Sequence, residues 1–227
     1  MFSAEVYISR RKRLAEEVKN GVILLPGNGE SPMNYLDNTY PYRQDSNFLY
    51  FFGLDQPGLV GLIDAGSGEA ILFGNDVDLD DIIWMGPLES IASRAEQAGV
   101  RDSRPLDKLD STLAEAIRQG RRIHFLPPYR GENKLLLEQL TGVAVARQRE
   151  YASLELIRAV VGLRSVKEPR EIEEIEKACA TGYKMHVKAM KMAQPGVWEQ
   201  KIAGRIEGIA ASGGGSRSLP KGITHKT

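Results

Sequence analysis

The sequence predicts an α/β fold over residues 1–163, a mixed β-sheet flanked by helices, followed by two helices of an incomplete second domain over residues 164–215. Three observations carry this expectation. Short apolar runs bounded by Gly, Pro, Asn and Asp alternate with segments of helical spacing. Two of those runs are joined by a hairpin pattern, and beyond Leu163 the strand-like runs stop and a long stripe of three- and four-residue steps begins.

Taken in order, Leu14 and Val18 share one face of an amphipathic first helix that Asn20-Gly21 ends. The basic run Arg10, Arg11, Lys12 and Arg13 reads as a solvated face of that helix rather than a phosphate contact, because Glu16 and Glu17 follow closely. Residues 22–25 form a buried strand. Residues 27–47 are polar and rich in Gly, Pro, Asn and Asp, too long for a simple turn and of a length that loops with functions have. The aromatic run over residues 48–52 predicts a strand, which Gly53 ends. Residues 59–64 and 70–73 pair as a hairpin across Ala65-Gly66-Ser67-Gly68-Glu69. Helical spacing returns at residues 88–97 and 106–117. A strand at residues 122–126 is stopped by Pro127-Pro128, and a helix at 135–140, a strand at 143–146 and a helix at 154–161 complete the first domain.

The second region opens with Ser165 or Glu168 as a helix cap and Pro169 in the first turn. Ile172, Ile175, Cys179, Gly182, His186, Ala189 and Ala193 then form one stripe. Pro195-Gly196 breaks the helix, Trp198, Ile202, Ile206 and Ile209 mark another, and Gly213-Gly214-Gly215 ends it. Two apolar stripes need a surface to cover them, yet only twelve residues follow the glycines, so the second domain starts here and does not finish. Exposed Ile172, Ile175, Trp198, Ile202 and Ile206 would favour association or flexibility.

Composition narrows the function. Thirty Lys and Arg balance thirty Asp and Glu, which leaves no global field to draw the chain onto nucleic acid or an anionic membrane. With 42% hydrophobic and 26% charged residues the chain has enough apolar side chains for a core. The most apolar short run, residues 21–26, is far below the ~20 residues of a membrane span. A single cysteine forms no internal disulfide, and without a signal peptide the expected compartment is the cytoplasm.

Residues with chemical potential are sparse. His124, His186 and His225 lie far apart without HxH or HExxH spacing and read as structural, and Cys179 reads as a small hydrophobe in the helical stripe. Asp76, Asp78, Asp80 and Asp81 lack the glycine and terminal glutamate of a calcium loop and read as a solvated loop. Gly27-Asn28-Gly29 lacks the third glycine and following helix of a dinucleotide loop. No Gly-x-Ser-x-Gly elbow or phosphate-binding loop is present.

Four ordered blocks go further: residues 40–53 (YPYRQDSNFLYFFG), Asp55-Gln56-Pro57-Gly58, Ile83-Trp84-Met85-Gly86, and residues 166–175 (VKEPREIEEI). Together they resemble the bacterial Xaa-Pro aminopeptidases, the aminopeptidase P branch of the pita-bread metallopeptidases, from about residue 8 to Gly215. Tyr42, Arg43, Gln44 and Phe48 match a recurring pattern of that family. The resemblance implies a creatinase/aminopeptidase P amino-terminal domain at residues 1–163, the start of a pita-bread catalytic domain at 164–215, and a tail at 216–227 that departs from the family, read as the product of a frameshift or premature stop. It implies a full-length enzyme that removes the residue before proline with two Mn²⁺, held by two aspartates, a histidine and two glutamates. All five would lie beyond Gly215, so no metal ligand and no catalytic residue carries over. The expected role of this chain is assembly and substrate gating, with proline-containing peptides as substrates and a homo-oligomer as the full-length form. Trp84 is the first substrate-proximal candidate, joined by Tyr42, Arg43 and Asp45. A non-catalytic peptide- or protein-binding module is the alternative. A prolidase or creatinase is a third reading, and residues 40–53 favour aminopeptidase P over both.

Overall fold

The computed structural model describes residues 2–76, 83, 86 and 89–214. The chain divides at Ser165/Val166 into two compact units.

The first unit is built on a five-stranded mixed sheet of order β4-β3-β2-β1-β5, composed of β1 (Val22–Pro26), β2 (Val60–Asp64), β3 (Ala70–Phe73), β4 (Asp102–Arg104) and β5 (Ile123–His124). β2 runs antiparallel to both β1 and β3, Val22 facing Asp64 and Val60 facing Phe73. The two edge strands β4 and β5 pair in parallel with β3 and β1. Alternation along β1 explains why its sequence is apolar throughout: Val22 and Leu24 enter the core on one face and Ile23 and Leu25 the core on the other. One face is covered by α1 (Ala4–Val18), α2 (Ser46–Phe52), α3 (Ile91–Gln97) and α7 (Leu154–Ser165), the other by α4 (Lys108–Arg118) and α5 (Gly131–Thr141). A short α6 (Gln148–Tyr151) precedes α7.

The aromatic run corrects the expected strand, because residues 48–52 lie in helix α2. Asp45 caps it, its Oδ1 accepting from the amides of Asn47 at 2.8 Å and Phe48 at 2.9 Å. Phe48, Phe51 and Phe52 then fall at helical spacing on one face and are fully buried, with the rings of Phe48 and Phe52 stacked at 4.9 Å. Burying each ring is worth about 1.5–3 kcal/mol, more than the ~1 kcal/mol span of strand preference. Gly61 on β2 makes room for this face, since a Cβ there would lie 2.2 Å from the Phe52 ring. Residues 143–146 are corrected too: residues Val145–Arg147 form one 3₁₀ turn instead of a strand.

The basic run of α1 is a third correction. Arg10 and Arg11 are buried, each 2% exposed. Arg10 Nη1 donates to the Tyr50 carbonyl at 3.1 Å and Arg11 Nη1 to that of Phe51 at 2.8 Å, so two guanidiniums occupy the carbonyl end of α2. Arg11 Nη2 also reaches the carbonyls of Ala98 at 2.9 Å and Gly99 at 2.8 Å, where α3 ends. Burial lowers the Arg11 guanidinium to about 10, and it stays charged at neutral pH.

The second unit holds α8 (Pro169–Met192) and α9 (Glu199–Ser212). The Glu171 carboxylate accepts from the Glu168 amide at 3.0 Å in a reciprocal cap, with Pro169 in the first turn. Neither helix has a buried residue. Cys179 is exposed rather than packed as a small hydrophobe. Residues 216–227 and His225 lie outside the described residues.

Candidate functional site

The loop between β1 and α2 gathers three of the four site candidates and shows what holds them. Gln44, 3% exposed, is its organiser. Its Oε1 accepts from the amides of Asn28 and Asp45, both at 2.8 Å, and its Nε2 donates to the Gln56 carbonyl at 2.7 Å. The Tyr42 hydroxyl lies 3.0 Å from the same carbonyl and 3.3 Å from that of Asn28. Burial, and then the nearby Asp55 carboxylate, push the Tyr42 phenol well above its ordinary range, so it remains a proton donor at any physiological pH.

Asn28, 2% exposed, ties this loop to the segment after β5. Its Nδ2 donates to the Arg43 carbonyl at 2.8 Å and to the Tyr129 hydroxyl at 3.2 Å, while Asn133 donates to its Oδ1 at 3.3 Å. Arg130 donates to the Gly29 carbonyl at 3.3 Å and to the Ser31 hydroxyl. A cavity of about 50 Å³ lies beside the network, lined by Pro26, Asp45, Asn47, Pro128, Tyr129 and Asn133 among others. It has space for water and is far smaller than a small-molecule site.

The candidates therefore separate. Tyr42 is a half-buried part of the network. Asp45 is the helix cap of α2, and Arg43 contributes its carbonyl while its side chain is exposed. Trp84 lies outside the described residues. Of the acidic cluster, Asp76 accepts from the Ile91 amide at 2.6 Å at the start of α3, and the other three lie outside the described residues. The sequence pointed to Gln44 only as a family mark and to Asn28 only within an incomplete glycine motif, and gave no sign of Tyr129 or Asn133. The available signal was a polar residue directly after an apolar strand, set aside with the incomplete glycine motif around it.

The outer part of the same loop is a hydrogen-bonded hairpin. Pro32 bridges Thr39, the Met33 amide donates to the Asn38 carbonyl at 2.8 Å, and the Tyr40 amide donates to that of Ser31 at 2.9 Å. Met33, Tyr35, Leu36 and Tyr40 are exposed on it, Leu36 by 79%.

A second cluster joins β5 to α7. His124 Nδ1 lies 2.7 Å from Ser153 Oγ, which donates to Glu155 Oε2 at 3.0 Å, and Glu155 pairs with Arg122 at 3.1 Å. A hydrolytic triad needs the imidazole between serine and carboxylate. Here serine stands in the middle, is 1% exposed, and accepts from the Leu156 amide at 3.2 Å as the cap of α7. The cluster is structural, in keeping with the expectation for His124. Among the described residues no three His, Cys, Asp or Glu side chains gather closely enough to hold a metal ion. The dinuclear centre implied by the resemblance does not fit these residues.

Fold and site together define a mixed α/β domain with a polar loop network at the carboxyl end of β1. A family model described as the N-terminal domain of aminopeptidase P matches residues 7–124, just over half the chain. The chain belongs to that family. It is 27% identical over 213 residues to the Xaa-Pro aminopeptidase of Escherichia coli (strain K12), covering 90% of this chain and 48% of that protein. It is 23% identical over 227 residues to the human Xaa-Pro dipeptidase, covering 93% and 44%. The low-pH form of E. coli aminopeptidase P superposes with a TM-score of 0.77 at 23% identity, over 94% of this chain and 50% of that one. A zinc-substituted form of the same enzyme in complex with product gives the same score. These structures share the fold. The chain spans just under half the length of these two curated relatives.

Among the described residues no helix is long and apolar enough to cross a membrane.

Proposed function

We propose that this chain is the non-catalytic amino-terminal part of a Xaa-Pro aminopeptidase, a hydrolase releasing the first residue of peptides with proline second. The family match over residues 7–124 carries this reading. The first unit serves assembly and substrate gating in a cytoplasmic homo-oligomer, and the second unit is the opening of a pita-bread domain whose remainder would supply the two Mn²⁺ ions and their ligands. Within the first unit, Tyr42, Arg43 and Asp45 border the peptide and Trp84 narrows its access. Support for the gating role is that Tyr42 and Asp45 are held by hydrogen bonds within the loop, with Arg43 exposed beside them.

The test is release of the first residue from an Xaa-Pro peptide in the presence of Mn²⁺, by this chain and by any longer product of the same gene. Turnover by the longer product alone is the expected result. In that product Arg43→Ala should raise KM for long peptides more than for dipeptides. Turnover by this chain alone would defeat the reading.

A second reading, a peptide- or protein-binding module, draws on the exposed Met33, Tyr35, Leu36 and Tyr40 of the hairpin. Under it the chain alone binds proline-containing peptides without cleaving them, and Leu36→Asp abolishes that binding.

A further inference from the structure

We propose that helix α8 is a self-recognition surface: two copies of this chain join through antiparallel α8 helices, the acidic half of one lying against the basic half of the other. The inference concerns this chain alone and does not depend on the catalytic reading above. In a longer product the remainder of the second domain would compete for the same face.

The surface is set by the helical repeat. At 3.6 residues per turn, Ile172, Tyr183 and Met190 fall within about 20° of one another around α8, and they are 45%, 70% and 68% exposed. α9 packs on the other side of the helix, where Thr181, Met185 and Met192 are half-buried and a Cβ on Gly213 would lie 2.6 Å from Thr181. The row of large apolar side chains is therefore left over after the helix pair of this unit has formed, and such a face is one for association.

Charge selects the occupant. Residues 169–180 hold four glutamates against two basic residues, whereas residues 181–192 hold three lysines and no acidic residue. Beside the apolar row, Glu173, Lys184 and Lys191 follow one another along a single edge, again within about 20° around the helix. Glu176 lies between that edge and the row, while Glu174 points to the other side and is paired with Lys177 at 2.6 Å. A uniformly acidic or basic partner would match one half of this edge and be repelled by the other. A second α8 running the opposite way matches both halves, because the two-fold axis of such a pair brings each edge against itself in reverse order.

The register follows from the same spacings. With the two-fold axis near Thr181, Ile172 meets Met190 of the second copy and Cys179 meets its Tyr183, while Glu173 meets its Lys191 and Glu176 its Lys184. The contact then runs about 27 Å along the helix at 1.5 Å per residue. An apolar pair and an ion pair stand at each end. Residues 165–168 and 193–198 lie beyond those ends and stay open to protease.

Sedimentation equilibrium of the purified chain should give twice its 25.1 kDa mass at tens of micromolar, with the dissociation constant rising several-fold as salt goes from about 0.05 to 0.5 M. Met190→Asp should return the chain to the monomer. Lys184→Glu with Lys191→Glu, and separately Glu173→Lys with Glu176→Lys, should each weaken self-association at least tenfold, and an equimolar mixture of the two variants should recover it. All five positions are exposed, and circular dichroism checks that the helices are kept. A zero-length carbodiimide cross-linker on mixed unlabelled and heavy-nitrogen-labelled wild-type chains needs no variant. It should join Glu173 of one isotope to Lys191 of the other, a pair about 27 Å apart within a single helix. A chain that stays monomeric at every concentration has its apolar row for another occupant, the rest of the second domain or a different protein, and overturns the proposal. An association that these substitutions leave unchanged, or a dimer without that inter-chain link, overturns it equally.

Discussion

At the scale of single residues, buried polar side chains hold helix ends and the loop before α2 in the first unit. Arg11 is held by three carbonyls, at 2.8, 2.9 and 2.8 Å, rather than by a carboxylate. Replacing it with methionine keeps most of the volume but leaves the ends of α2 and α3 without donors. At ~1–3 kcal/mol for each abandoned buried group, Arg11→Met should cost roughly 3 kcal/mol or more, read from the urea midpoint at constant slope. Arg13→Met, at an exposed position two residues past the buried pair, should cost much less. Gln44→Leu should be comparably damaging, because it strands the amides of Asn28 and Asp45 and leaves the carbonyl of Gln56 to Tyr42 alone. Tyr42→Phe removes one hydroxyl from a shared site and should cost about 1 kcal/mol. Equal losses for Tyr42→Phe and Gln44→Leu would contradict the assignment of Gln44 as organiser. None of this was legible in a linear reading, which placed Arg10 and Arg11 on a solvated face. Two arginines beside Lys12 and Arg13 look alike until the carbonyls of helices some 40 and 90 residues away come to meet them.

At the scale of elements, α2 and the β2–β3 hairpin are opposite cases. The hairpin was plain in the sequence, because its turn residues and alternating flanks act over a few positions. Asp64 secures it: Gly66 and Ser67 donate to one carboxylate oxygen at 2.8 and 3.0 Å, and Arg121 donates to the other at 2.6 Å. Burial alone would raise the Asp64 carboxyl, but Arg121 and the two amides outweigh it and hold it below the usual range. Its contribution is therefore complete above the ordinary aspartate value and is lost as pH falls through that value and beyond. Asp64→Asn should flatten the part of the acid-unfolding profile between about pH 5 and 2 that this carboxylate governs. An unchanged profile would show that Arg121 is not its partner in solution. Helix α2 was misread because five apolar residues in a row fit a strand as well as a helix. The deciding details lie at its ends, in the Asp45 cap and in Gly53 at φ +71°, where a Cβ would fall 2.1 Å from the Tyr7 ring. Asp45→Ala should cost ~1 kcal/mol, and Gly53→Ala roughly 2–4 kcal/mol from left-handed strain and overlap together. Should Asp45→Ala leave stability unchanged, the cap is not what selects helix over strand.

At the scale of the whole molecule, the two units differ in kind. The first has apolar side chains buried on both faces of one sheet, and the second has two helices without a buried residue. Limited proteolysis should cut first near residues 165–168 and 193–198, with Val166 at 77% and Trp198 at 77% exposure, and leave a resistant product ending close to Ser165. Resistance through Ala211 would mean that the stripe of α8 and α9 is covered in solution. The family is likewise a property of the chain at this scale, carried by a match across residues 7–124 rather than by any one cluster of side chains.

By itself, the sequence determined the α/β class, the five-element rhythm of β1, β2, β3, α4 and α7, the hairpin, the proline-started helix after residue 168, and the resemblance that placed the chain in its family. These depend on local periodicity, turn chemistry and ordered motifs, all of which act between near neighbours. Only the tertiary structure decided that Phe48, Phe51 and Phe52 are helical, that Arg10 and Arg11 are internal, and that Asn28 and Gln44 hold the loop while Asp45 caps a helix. Each of these outcomes turns on a partner distant in sequence, and a buried donor or ring takes its place from the surface that the rest of the fold brings against it.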